Sequence, residues 1–267
     1  MKGLFRAFER ERVEYLLIGG QAAILYGAAH FTQDLDLWIR PTSRNWRAFL
    51  SALGRVRARV HKLTPPASLR WVRRGHGFHF LIPQKGRLPA YLDAMGRPPR
   101  TGPFGEAARR SRRIDTPWGT LRVVSIEDLV RLKQTNRPGD YEVISRLVRI
   151  RLGELRSPSS GQMAWAVRNT FRIEDLTALL SEYGERVRMA AADGNKALAR
   201  VIRAYQAGEI PSEAALGPAA RALDLRMADL LEKGRRHWLP KIADLRALRA
   251  KGRLLPAGLP VARLLDE

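Results

Sequence analysis

Leu17-Ile18-Gly19-Gly20-Gln21-Ala22-Ala23, followed by Thr32-Gln33-Asp34-Leu35-Asp36-Leu37, is the stretch on which the reading of this chain turns. Val13 to Ile18 is an apolar run that predicts a buried strand, ended by the glycine pair. Gln21 to Ala29 has the alanine-rich composition of a short helix. Glycines between a strand and a helix let backbone N–H groups approach an anionic phosphate, and the helix N-terminus adds a favourable dipole. Gln33 to Ile39 then alternates polar and apolar residues with the period of a second strand. Two apart on that strand, Asp34 and Asp36 project from one face, while Leu35 and Leu37 project into a core. Paired carboxylates repel unless a cation lies between them. Hard ions such as Mg²⁺ take one or two carboxylates together with substrate phosphates. Alone, a Gly-Gly is commonly a turn and an Asp-x-Asp a solvated edge; on consecutive elements with a hydrophobic back they make a sharper pattern.

Outward from this stretch, Ser43 is placed to cap a helix whose Trp46, Phe49, Leu50 and Leu53 form one apolar stripe, with Gly54 as its stop. His76 to Ile82 and Pro89 to Met95 predict two strands joined by a turn at Gln84-Lys85-Gly86-Arg87. Leu121 to Val124 predicts a short strand. It leads into Ser125-Ile126-Glu127-Asp128, a capping-box signature for a helix through Gln134. Arg137-Pro138-Gly139 breaks that helix, and Asp140 is placed to cap the next. Leu155 to Gly161 has linker composition. Beyond it the pattern is helical: Ile173–Tyr183, Glu185–Ala207, Ser212–Leu223 and Leu225–Leu248. The expectation is therefore an α/β (α+β) domain over residues 1–156, with a mixed sheet flanked by helices, and an all-helical domain over 162–267.

Composition bounds the function. The chain has 267 residues, a net charge of +22 and no cysteine, which excludes a disulfide framework, a thiol nucleophile and Cys-ligated zinc or iron–sulfur sites. No apolar run approaches a membrane span. The charged opening MKGLFRAFERERVEYLL lacks the apolar core of a signal peptide, so a cytoplasmic location is expected. Residues 1–160 carry 30 Lys and Arg against 13 Asp and Glu; residues 161–267 carry 18 against 13. Such a field concentrates polyanions. The bias of 40 Arg to 8 Lys also suits a GC-rich genome without selection for binding. Arg109, Arg110, Arg112 and Arg113 read as a solvated helix face, slightly favoured over a phosphate-binding surface. His76 and His79, three apart, fall on opposite faces of a strand, which argues against a zinc site. The tryptophans at 71, 118, 165 and 238 are scattered and do not indicate a stacking platform.

The glycine pair and acidic strand together resemble the nucleotidyltransferase superfamily with the DNA polymerase β fold, and in particular small bacterial abortive-infection and toxin-type nucleotidyltransferases. The resemblance covers roughly residues 10–150 and rests on Gly19, Gly20, Thr32, Asp34 and Asp36. His30 stands where the family has Arg. A third family carboxylate, in a hydrophobic-Asp-hydrophobic pattern, matches Asp93. A later helix carrying Lys133, followed by Arg137 and Asp140, matches a second segment in which Gly139 replaces a Lys. The resemblance implies transfer of a nucleoside monophosphate from an NTP to a hydroxyl acceptor, with two Mg²⁺ ions on Asp34, Asp36 and Asp93. Gly19, Gly20, Thr32 and Lys133 would then bind nucleotide. The implied partners are an RNA or tRNA acceptor and, for a toxin–antitoxin pair, an antitoxin protein; no membrane is implied. Lys133 reads equally as an ion pair with Asp140 or Glu127; for Asp93 the ligand reading is favoured over that of a polar residue on a strand's wet face. The alternative is an inactive protein of the same fold that binds nucleotide or nucleic acid.

Overall fold

The structure, a computed structural model, describes residues 1–265. Its elements in chain order are α1 (Lys2–Arg10), β1 (Tyr15–Ile18), α2 (Gly19–Leu25), β2 (Asp34–Ile39), α3 (Ser43–Arg55), β3 (Arg59–Val60), α4 (Leu69–Arg73), β4 (Gly77–Gln84) and β5 (Arg87–Met95). They continue as α5 (Phe104–Arg110), β6 (Arg112–Thr116), β7 (Gly119–Val123), α6 (Ile126–Lys133), α7 (Gly139–Gly153), α8 (Ser160–Arg168), α9 (Ile173–Tyr183), α10 (Lys196–Gln206) and α11 (Glu213–Ala250). This is an α+β fold. Seven strands form one mixed sheet in the order β3-β4-β5-β2-β1-β7-β6, flanked by helices and followed by a helical C-terminal region.

The strand pairing explains the two faces. β1 lies antiparallel to β2 and parallel to β7; β2 lies parallel to β5; β4 lies antiparallel to β5. Leu17, Leu35, Leu37, Phe78, Phe80 and Leu92 are buried on one face. Helices α1 and α3 cover it with aromatic rings: Phe8 against Tyr15 and Phe49, Phe49 against Phe80, and Trp46 against Phe78 at 4.7 Å between centroids. The buried Asn45 of α3 anchors that layer to the strand ends. It donates to the Glu14 and Arg40 carbonyls and accepts from Glu14 N–H at 2.7 Å. The opposite face carries Ile18, Asp34, Asp36, His79 and Asp93. Only part of it is covered: Trp38 is buried there against Phe104 and donates to the Gly96 carbonyl.

The chain forms two compact units, Met1–Leu132 with Arg236–Glu267, and Lys133–Arg235. The Leu155–Gly161 segment, expected as the linker, instead connects α7 to α8 inside the second unit, where Ser159 builds a capping box with Gln162. The C-terminal segment returns to the first unit. There Val60 N–H donates to the Leu259 carbonyl, Val261 N–H donates to the Ala58 carbonyl, and Val261 and Leu264 are buried.

Several local expectations shift for identifiable reasons. Thr42, not Ser43, is the N-cap of α3, its hydroxyl accepting from Asn45 N–H. Ser125 caps α6 as expected, accepting from Asp128 N–H at 3.1 Å. Pro138, not Asp140, precedes α7; Asp140 lies in the first turn of that helix, where it pairs with Lys133. The arginine run is divided: Arg109 and Arg110 end α5, and Arg112 and Arg113 begin the β6–β7 hairpin. The two helices expected over 212–248 are one continuous helix, α11. Among the described residues no helix is long and apolar enough to cross a membrane.

Candidate active site

Four strands contribute one lateral row. His79 of β4 is opposite Asp93 of β5, Asp93 is opposite Asp36 of β2, and Asp36 is opposite Ile18, the last residue of β1. Register partners project to the same face, on strands about 4.8 Å apart. Asp34, two residues before Asp36, adds a third carboxylate to that face and is opposite Tyr91. Asp34 is exposed, and Asp36, Asp93 and His79 are half-buried. The three acidic residues singled out from sequence therefore share one open face.

The glycine pair follows directly from β1 and closes one side of the row. Gly19 has φ +68°, a left-handed conformation that glycine adopts without penalty. A Cβ there would overlap the Asp36 carboxylate, and a Cβ on Gly20 would lie 2.6 Å from Thr32 Oγ1. Gly20 N–H points at Asp36 Oδ2 across a long 3.4 Å contact. Thr32 Oγ1 lies 3.4 Å from both the N and the O of Asp34, bracing the start of β2. Gly19, Gly20, Thr32, Asp34 and Asp36 thus form one continuous wall. Helix α2 itself has only seven residues and ends at Leu25, short of the expected Ala29.

His79 is the participant that sequence reading missed. Its Nδ1–H donates to Asp93 Oδ1 at 2.7 Å, the tautomer that a neighbouring carboxylate selects. Gly77, two residues earlier on the same strand, makes room for the ring: a Cβ there would sit 3.2 Å from Nε2. The missed signal is a register shift. Between Ile82↔Ala90 and Gln84↔Arg87 the ladder skips, with Pro83 on β4 facing Leu88 and Pro89 on β5. Neither proline has an N–H to continue the ladder. A regular hairpin with a two-residue turn would have put His79 opposite Leu92.

Compared with protein families and with curated proteins, the chain finds no match.

The donor chemistry of the row suits a hard divalent cation, with two carboxylates at strand spacing, a third beside them, and the Asp36 carboxylate seated against Gly19 where any side chain would displace it. Among the described residues, no three acidic or imidazole side chains are gathered as a ready metal-binding group. A complete protein cage is not what Mg²⁺ needs, since it is ordinarily held by one or two carboxylates plus phosphate oxygens. Asp34 and Asp36 are the residues that would hold it. Asp93 Oδ1 is committed to the imidazole, which leaves Oδ2 as its other donor atom.

Lys133 is the lysine that the resemblance assigns to nucleotide binding. It is the first residue of the second unit, and its Nζ donates to Asp140 Oδ1 at 2.8 Å, both side chains being largely buried. Thr135 Oγ1 donates to the other Asp140 oxygen at 2.5 Å. The ion pair with Asp140, one of its two sequence readings, is thus present. His76 is separate from His79: fully buried before β4, it meets Asp244 at 3.1 Å. Burial pushes its imidazole pKa down, outweighing the upward pull of Asp244.

Proposed function

We propose that the first unit is a nucleotidyltransferase that moves a nucleoside monophosphate from an NTP to a hydroxyl acceptor, with Mg²⁺ as cofactor. The observation that carries this reading is the position of Asp36. It adjoins the glycine wall on one side and lies opposite Asp93 on the other, with Asp34 on the same face. Backbone N–H groups around Gly19 and Gly20, beside the Asp36 carboxylate, would receive the triphosphate. Asp34 and Asp36 would hold the ion, which supplies charge neutralisation on the phosphates. The acceptor oxygen attacks the α-phosphorus in line, the bond to pyrophosphate breaks, and the hydroxyl proton passes to Asp93. His79 keeps the Asp93 carboxylate in place for that transfer. Tyr91, exposed beside Asp34 and 5.3 Å from His61, offers a ring face to a nucleobase.

The strongly positive first 160 residues favour an RNA acceptor, tRNA among the candidates, and a toxin paired with an antitoxin is a setting consistent with that chemistry. The test is incubation with each labelled NTP, Mg²⁺ and total RNA, followed by scoring of label and pyrophosphate. Label transfer is expected in the native chain and is lost in Asp34→Asn and Asp36→Asn, whose circular dichroism stays native. Full incorporation by either variant would defeat the assignment. A second reading is a nucleotide-binding module without turnover, favoured by the hold of His79 on Asp93. It predicts NTP binding with no pyrophosphate release for any acceptor.

A further inference from the structure

Beyond the C-terminal end of β5, which carries Asp93, lies a dense group of cations. Arg97 follows Asp93 by four residues, at most about 13 Å along an extended chain. Gly75 lies against it: a Cβ there would meet the Arg97 carbonyl at 2.7 Å and the Lys241 side chain at 3.4 Å. Lys241 projects from α11 over the Trp238 ring, 5.8 Å from its centroid, and donates to the His237 carbonyl. Arg70 and Arg74 lie over the Trp71 ring in the same way, at 5.4 and 6.0 Å. Trp71 and Trp238, far apart in sequence, therefore flank one basic surface.

The neighbourhood is short of negative charge. Asp244 is its acidic group, and it is already engaged by Arg74 in a two-pronged pair at 2.6 and 2.8 Å and by His76. Among the described residues neither Arg97 nor Lys241 has an ion-pair partner. Burial first, then Arg74 and Arg97, push the Lys241 ammonium pKa below its ordinary value against the pull of Asp244. Burial, Lys241 and Arg100 push His237 down as well, and its buried Nε2 finds no hydrogen-bond partner. Like charges held this close, with aromatic faces beside them, are stabilised by an incoming line of phosphates.

We propose that Arg97, Lys241 and the Trp71 and Trp238 rings form a docking surface for a single-stranded nucleic acid, whose phosphates cross the basic group and whose end reaches the Asp93–Asp36 row. The role of that strand as acceptor rests on the transfer reading; the docking itself does not, and is measured without turnover.

The experiment uses the full chain and a fluorescent 20-nucleotide RNA of mixed sequence, with affinity measured across a salt series. Replacing Arg97 and Lys241 together by Gln is expected to weaken binding about tenfold or more at moderate salt. It should also reduce the log–log salt slope by about 1.4, at roughly 0.7 per single-strand phosphate contact. Lys62→Gln with Lys85→Gln, which removes the same charge elsewhere, is expected to change affinity less than about twofold. Bound RNA should protect Lys241 but not Lys85 from acetylation in the native chain, a readout independent of how the variant folds. Equal losses in both double variants, an unchanged salt slope, or unprotected Lys241 would overturn the docking surface. Displacement of RNA by polyglutamate at equal charge concentration would overturn it too, marking a general polyanion sink. Binding is measured without NTP or Mg²⁺, so failure of catalysis and failure of docking are read separately.

Discussion

Gly19→Ala is the most informative single change, because it strains the backbone and the acidic row at one point. At φ +68° an alanine costs about 1–2 kcal/mol in the left-handed region. Its Cβ would also occupy the position of the Asp36 carboxylate, so that side chain must leave its rotamer, at roughly 0.5–1.5 kcal/mol. Together these predict a loss of about 2–3 kcal/mol. For a unit of this size that lowers the melting temperature by roughly 4–12 °C. The assay is urea unfolding followed by tryptophan fluorescence, paired with NTP binding by equilibrium dialysis. Gly105→Ala in α5 is the control. Nothing lies within 4 Å of its new methyl, and in a helix it should be neutral or add about 0.5–1 kcal/mol. The midpoint should fall for Gly19→Ala alone, and nucleotide binding should fall further than stability explains, since the displaced carboxylate is a site residue. A Gly19→Ala chain as stable as the Gly105→Ala control, binding NTP normally, would refute the close approach of Gly19 to Asp36.

Other outcomes follow from buried polar groups. Asp128, almost fully buried, accepts from Arg110 at 2.8 and 3.1 Å and from Ser125 Oγ; Asp128→Ala should cost about 2 kcal/mol by loosening the first turn of α6, read as a lower urea midpoint. Asn45→Ala removes three hydrogen bonds to the Glu14 and Arg40 backbone, and should cost about 2–3 kcal/mol on the same scale. His76 has a folded-state pKa below its ordinary 6.5, so below that pH the unfolded chain binds more protons and stability falls as pH drops. His76→Gln should shrink the stability difference between pH 7 and pH 5.5; an unchanged difference would show that His76 is not the group responsible.

Much of the site was legible because strand alternation and glycine chemistry are local. Asp34 and Asp36 needed only a period of two to be placed on one face, and the buried Leu35 and Leu37 confirm that face assignment. Gly19 and Gly20 needed only their lack of a Cβ. Asp93 was legible as a strand residue, but its position opposite Asp36 depends on a parallel pairing that no local pattern encodes. His79 was hidden by the irregular ladder around Pro83 and Pro89. The basic surface was hidden for another reason: Arg97 and Lys241 are far apart in sequence and adjoin only because α11 ends in the first unit. The start of α3 moved by one residue because the Thr42 hydroxyl, not that of Ser43, makes the cap, whereas the helix expected from Glu185 begins only at Lys196, where the Asn195 side chain caps it.

The skipped pairing near the tip of the β4–β5 hairpin gives the site a tolerance for particular length changes. Leu88 and Pro89 share one opposing residue, so the ladder that holds His79 against Asp93 runs one residue out of step with the turn. Removing Leu88 would leave Pro89 alone opposite Pro83, and both Ile82↔Ala90 and His79↔Asp93 would survive. An added residue on β4 beside Pro83 would square the ladder in the same way. The extra residue is therefore slack in the count: the tip can shorten by one on β5 or lengthen by one on β4 while the imidazole keeps its carboxylate.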